Sequence, residues 1–162
     1  MGLLKRWFGT ESIASISKFD GVRLKPDRLH VGAILEPSNL DKVTARFSTQ
    51  GHTLWLDTSG ASRGSPHPRC HLVRTSERKL IQYLMTYPDL NSIGLVTVTI
   101  CAGYKLRRHT QQLARLIALA AAANPDSVWV VLAVGDGAWQ DGLLRAVSRE
   151  GVRLPDSGND GQ

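Results

Sequence analysis

Apolar and polar residues alternate between two periods along this chain, and the period assigns most of the elements. Val128 to Val134 is a continuous apolar run ending at Gly135-Asp136-Gly137. A strand without polar alternation suits the interior of a parallel sheet covered on both faces, and the glycines let the chain turn sharply at its end. His52 to Asp57 and Ser92 to Cys101 read as two further strands, the second rich in β-branched residues. Between them, Ser76 to Tyr87 carries Leu80, Tyr83, Leu84 and Tyr87 at helical spacing, with Ser76 as cap and Pro88 as stop. The helical period is clearest from Lys105 to Ala123, where Leu106, Leu113, Leu116, Ile117 and Ala120 share a face before Asn124-Pro125. Asp141 to Glu150 follows as a short amphipathic helix, and Val152 to Leu154 as a small strand.

The first third is less regular. Val22 to Lys25 and Leu29 to Leu35, separated by Pro26-Asp27, predict a β-hairpin at a sheet edge, and Pro37 to Phe47 predicts a helix with Leu40, Val43 and Phe47 on one face. Gly2 to Ile16 begins with Leu3, Leu4, Trp7 and Phe8 beside Lys5 and Arg6, the pattern of a short amphipathic helix. Strands and helices alternating from residue 52 onward predict one Rossmann-like α/β domain with a mostly parallel sheet flanked by helices. Its expected extent is 20–154, after an amphipathic segment over 1–19 and before a polar, disordered tail over 155–162.

Charge sharpens this outline. Of the net +6, the whole excess falls between Thr58 and Gly135, which holds nine Lys/Arg against three acids. No acid occurs between Asp57 and Glu77, a stretch that carries Arg63, Arg69 and Arg74 in and after a Gly/Ser/Pro loop. Lys105, Arg107 and Arg108 stand in the first turns of the long helix, again without an acid nearby. Such a basic face suits an acidic protein, nucleic acid or an acidic membrane surface. Leu3, Leu4, Trp7 and Phe8 would serve as a membrane anchor on the last of these. Two cysteines, Cys70 and Cys101, make no disulfide framework, and no apolar run reaches the ~20 residues of a membrane span. The expected setting is intracellular, soluble or peripheral to a membrane. The oligomeric state is not legible.

Candidate chemistry gathers at strand ends. Asp57 and Asp136 would stand at the same edge of a parallel sheet, where open α/β sheets bind ligands, and carboxylates with hydroxyls suit Mg2+. Asp57-Thr-Ser-Gly-Ala-Ser62, with Val134-Gly-Asp-Gly137, resembles the metal-ion-dependent adhesion site of von Willebrand factor A domains. The resemblance implies a doubly wound, Mg2+-dependent protein-binding module with Asp57, Ser59 and Asp136 at the metal. It departs at the second serine position, which is Ala61, with Ser62 one place later. An aspartate before a Gly/Ser loop also has a purely structural use, capping the next helix. Leu54 to Asp57 with Val134 to Trp139 is similar to the first and last acidic motifs of PIN-like ribonucleases, which implies metal-dependent phosphodiester cleavage. Ala138 stands where that pattern has another acid, and Lys105 to Ala123 contains none, so a nuclease would be degenerate. His67-Pro-Arg-Cys70-His71 crowds three potential zinc ligands, but no second pair lies at finger-like spacing and zinc is not expected.

The expectation is a non-enzymatic interaction module, Mg2+-dependent by the first resemblance, with a basic face for an acidic partner. The alternatives are a degenerate metal-dependent ribonuclease and a peripheral membrane or matrix-like structural protein that binds acidic lipid or nucleic acid.

Overall fold

The computed structural model describes residues 13–16, 19, 21, 23–25, 29–86, 89–90, 97–102, 109–135, 142 and 145–146. The strands are β1 (Ile13–Ile16), β2 (Leu29–Ile34), β3 (Thr53–Asp57), β4 (Cys70–Arg74), β5 (Thr97–Ala102) and β6 (Val128–Val134). The helices are α1 (Leu40–Ser48), α2 (Glu77–Met85) and α3 (Thr110–Ala123). All neighbouring strands are parallel, in the order β1-β2-β6-β5-β3-β4. This is the expected α/β architecture. No helix among the described residues is long and apolar enough to cross a membrane.

The apolar run of β6 is buried at every position because β2 and β5 flank it and both faces of the sheet are covered. On one face, Val130, Leu132, Trp55, Cys70 and Cys101 pack with Leu40, Val43 and Phe47 of α1. On the other, Trp129, Val131, Val98, Ile100 and Leu56 pack with Leu80 and Leu84 of α2 and Leu113, Leu116 and Ile117 of α3. The crossover through α1 carries the chain from β2 across to β3, and those through α2 and α3 bring it back over the opposite face. Opposite directions of travel over opposite faces are what right-handed crossovers require. Ser76 caps α2 as its sequence position predicts, accepting a hydrogen bond from the Lys79 backbone N–H.

Several expectations need correction. Leu29–Ile34 is not half of an edge hairpin: β1 and β6 pair with it in parallel on its two sides, and residues 23–25 are not strand. Its near-continuous burial is that of an interior strand. Ile13–Ile16 belongs to the sheet and not to an amphipathic helix, so the domain includes residues before position 20. The three-residue spacing of Ile13 and Ile16 fits a helix, but β2 offers these residues a ladder, and Gly32 gives the two strands room. A Cβ on Gly32 would come within 3.2 Å of Ile16. Cys70–Arg74, to which the sequence assigned no regular element, is a strand. Of the helix expected over Lys105 to Ala123, Thr110–Ala123 is helical, and residues 105–108 lie outside the described residues. Gly142, Arg145 and Ala146 are helical as expected for 141–150, whereas the 1–12 segment, the 152–154 strand and the 155–162 tail lie outside the described residues.

Candidate functional site

Asp57 ends β3 and is only 2 % exposed. Its two oxygens serve the loop that follows. Oδ1 accepts from the Ser59 N–H (2.8 Å) and the Ser59 hydroxyl (2.5 Å), and Oδ2 accepts from the Ser62 N–H (3.2 Å). Ser59 Oγ in turn accepts from the Ala61 N–H at 3.1 Å. Gly60, Gly64, Pro66 and Pro68 deny this connection a helix. Side-chain acceptors therefore satisfy backbone donors that a helix would have satisfied internally. Arg74, at the end of β4, closes the arrangement by donating from Nε to Ser62 Oγ (3.1 Å) and from Nη2 to the Ser62 carbonyl (3.2 Å).

Of the expected metal residues, the structure brings Asp57 and Ser59 together as a capped turn, and Asp136 lies outside the described residues. β5 stands between β3 and β6, so those two strand ends are roughly 10 Å apart across the sheet. A cation at Asp57 would compete with the Ser59 and Ser62 donors for the carboxylate oxygens. Among the described residues no three His, Cys, Asp or Glu side chains group together as metal ligands do.

The cysteines sit behind this turn, both buried. Cys101 pairs with Asp57 across β5 and β3, and its Sγ accepts the Trp55 indole N–H at 2.9 Å. Burial first, and then the Asp57 charge, push the Cys101 thiol well above its ordinary value of 9.0, outweighing the opposing effect of Trp55. Cys70 is also raised by burial, against hydrogen bonds with Ser48 and Ser65. Both are therefore neutral thiols, unsuited to nucleophilic attack.

A pH dependence follows from these thiols. Below the ordinary thiol value both states are protonated and stability is flat. Above it the unfolded chain loses protons that the folded chain keeps, so stability falls as pH rises from 9.0 toward the raised folded value. The slope is at most about 1.4 kcal/mol per pH unit for each thiol. Urea unfolding between pH 8 and 10.5, wild type against Cys101→Ala, should show the steeper fall in the wild type; parallel curves would contradict it.

The cations expected at an anion site divide into two groups. Arg63, Arg69 and Arg74 are exposed, on the loop and at the two ends of the β4 segment. Arg69 Nη2 also donates to the Thr49 carbonyl at 3.4 Å. Lys105, Arg107 and Arg108 lie outside the described residues, as do the proposed anchor residues Leu3, Leu4, Trp7 and Phe8. His52 and His71 stack with ring centroids 5.9 Å apart.

Beside β4 lies a feature that the sequence did not disclose. Leu54, Leu56 and Val73 from the sheet, with Leu80 and Tyr83 from α2, line a cleft of about 420 Å³, with Thr75 and Lys79 as its polar members. Burial pushes the Tyr83 phenol up, which keeps its O–H a donor. The volume is in the range of ligand pockets, and the lining is largely apolar with a few polar groups. In the sequence Leu54 and Leu56 stand two apart on a stretch that reads as a strand, and so share a face. Without β4 as a strand, nothing placed Val73 next to them. Comparison with protein-family models, characterised proteins and solved structures finds no match for the chain.

Proposed function

We propose that the protein is a non-enzymatic interaction module that binds an acidic partner at the β4 end of its sheet. The observation that carries this reading is the joining of an acid-free, Arg-bearing strand and loop to an apolar cleft with Lys79 on its rim. Lys79 borders the cleft and Arg74 stands on the other side of β4 from Val73, so cations steer an anionic partner and set its register while the cleft supplies the burial that charge alone does not. Asp57 supports the module as a loop staple: it holds the turn from which Arg63 projects and, through Ser62, the Arg74 guanidinium. Mg2+ is not required for that role.

The test uses a fluorescently labelled peptide of alternating glutamate and small apolar residues, read by anisotropy at low and high salt. Binding should weaken with salt, and the double charge reversal Arg63→Glu/Arg69→Glu should reduce affinity by about tenfold or more. Equal binding by wild type and double variant would remove the basic face from the account. Single-stranded RNA and phosphatidylserine vesicles serve as comparators. A clear preference for either would replace the acidic protein with nucleic acid or a membrane as the partner.

A further inference from the structure

β4 is the outermost strand on its side, and its hydrogen-bonding phase is set by two bonds: Thr53 N–H to the Arg69 carbonyl and Thr75 N–H to the Asp57 carbonyl, both 2.9 Å. In a parallel ladder the backbone groups of successive residues point to alternate sides. The odd-numbered residues of β4 therefore face β3, and the N–H and C=O groups of Leu72 and Arg74 point away from the sheet. Among the described residues no strand lies beyond them. Val73, between the two, turns its side chain to the cleft and is 44 % exposed. An open edge next to an apolar cleft is an invitation to pair, with a second copy or with another chain.

We infer that β4 takes an extended peptide segment as a further strand of the sheet, with acidic and apolar side chains alternating along it. This rests on the acidic-partner reading and adds the partner's conformation and pattern. Side chains of an added strand point alternately to the two faces. On the cleft side they run beside Val73 toward Leu54, Leu80 and Tyr83; on the opposite side they stand beside Arg74. Leucine or valine suits the first set of positions, glutamate or aspartate the second. Charge selects against a second copy of this chain. Two β4 edges would bring two cationic segments together, since from Thr58 to Pro88 Glu77 is the one acid against Arg63, Arg69, Arg74, Arg78 and Lys79. A strand of opposite charge meets no such repulsion.

The test compares three labelled peptides on the full chain: an alternating Glu-Leu-Glu-Val-Glu segment, its Glu-Ser-Glu-Ser-Glu counterpart, and the first peptide N-methylated along one backbone edge. The alternating peptide should bind about tenfold or more tighter than either control. Leu72→Pro removes an outward N–H that the ladder with β3 does not use, and Val73→Glu charges the cleft mouth at an exposed position. Both should abolish the preference while leaving weak, salt-dependent binding of the serine peptide. Val73→Glu decides the matter if circular dichroism shows that Leu72→Pro has lost the fold. Equal binding of all three peptides would overturn strand addition and leave the basic face standing, and no binding of any of them would overturn both. A preference that survives the folded variants would place the contact away from β4 and overturn the inference.

Discussion

Asp57→Ala should lower stability by about 3 kcal/mol, and by the same amount in Mg2+ and in EDTA. The carboxylate is buried and accepts three hydrogen bonds from the turn over Ser59–Ser62. Truncation leaves the Ser59 and Ser62 N–H groups without their acceptor, at about 1–3 kcal/mol for each donor that stays buried. For a chain of this size the loss corresponds to roughly 6–12 °C in Tm. Asp57→Asn keeps one acceptor oxygen and should recover about half. A metal centre behaves differently. Mg2+ would raise the wild-type Tm by mass action and the alanine variant would lose that increment. A Mg2+-dependent shift in wild type that vanishes in Asp57→Ala would return Asp57 to the role implied by the adhesion-site resemblance.

The largest stability loss is expected at Trp55. Its indole is fully buried between the β5 and β4 neighbours Thr99 and Leu72, and it packs in the cluster that joins α1 to the sheet. Trp55→Ala should cost about 3–5 kcal/mol, the range for removing a large aromatic side chain from a core. Trp55→Phe should cost far less, because the ring contacts largely persist and the Cys101 sulfur is a weak acceptor. Urea midpoints with an unchanged m-value are the readout. A Trp55→Ala cost below about 1 kcal/mol would mean that this face of the sheet is not packed as described.

What could be read from the sequence depended on how much each element's own residues determine it. β6 was legible because seven consecutive apolar residues have few soluble uses other than a strand covered on both faces. α2 was legible because Ser76, Leu80 and Leu84 supply cap and stripe within one short window. The capping use of Asp57 was legible too, although the element it caps is a loop and not a helix. β4 was hidden because an edge strand needs little burial: of its five residues only Cys70 is buried, and the rest follow no two-residue pattern. β1 was hidden because Ile13 and Ile16 have a helix's spacing and acquire a strand's conformation only from β2. The cleft could not be seen before β4. It depends on Val73 standing beside Leu56, a pairing between residues far apart in the loop-rich part of the chain.

The claim that joins fold to function is that the β4 edge and its cleft form the binding surface. Backbone amide shift mapping of the 15N-labelled chain, titrated with the alternating acidic and apolar peptide, addresses it most directly. The predicted perturbations centre on residues 69–75 and 79–83, and the amides of Leu72 and Arg74 become protected from solvent exchange. Perturbations centred instead on Ile34 to Glu36 and Gly135, or unchanged exchange at Leu72 and Arg74, would contradict it.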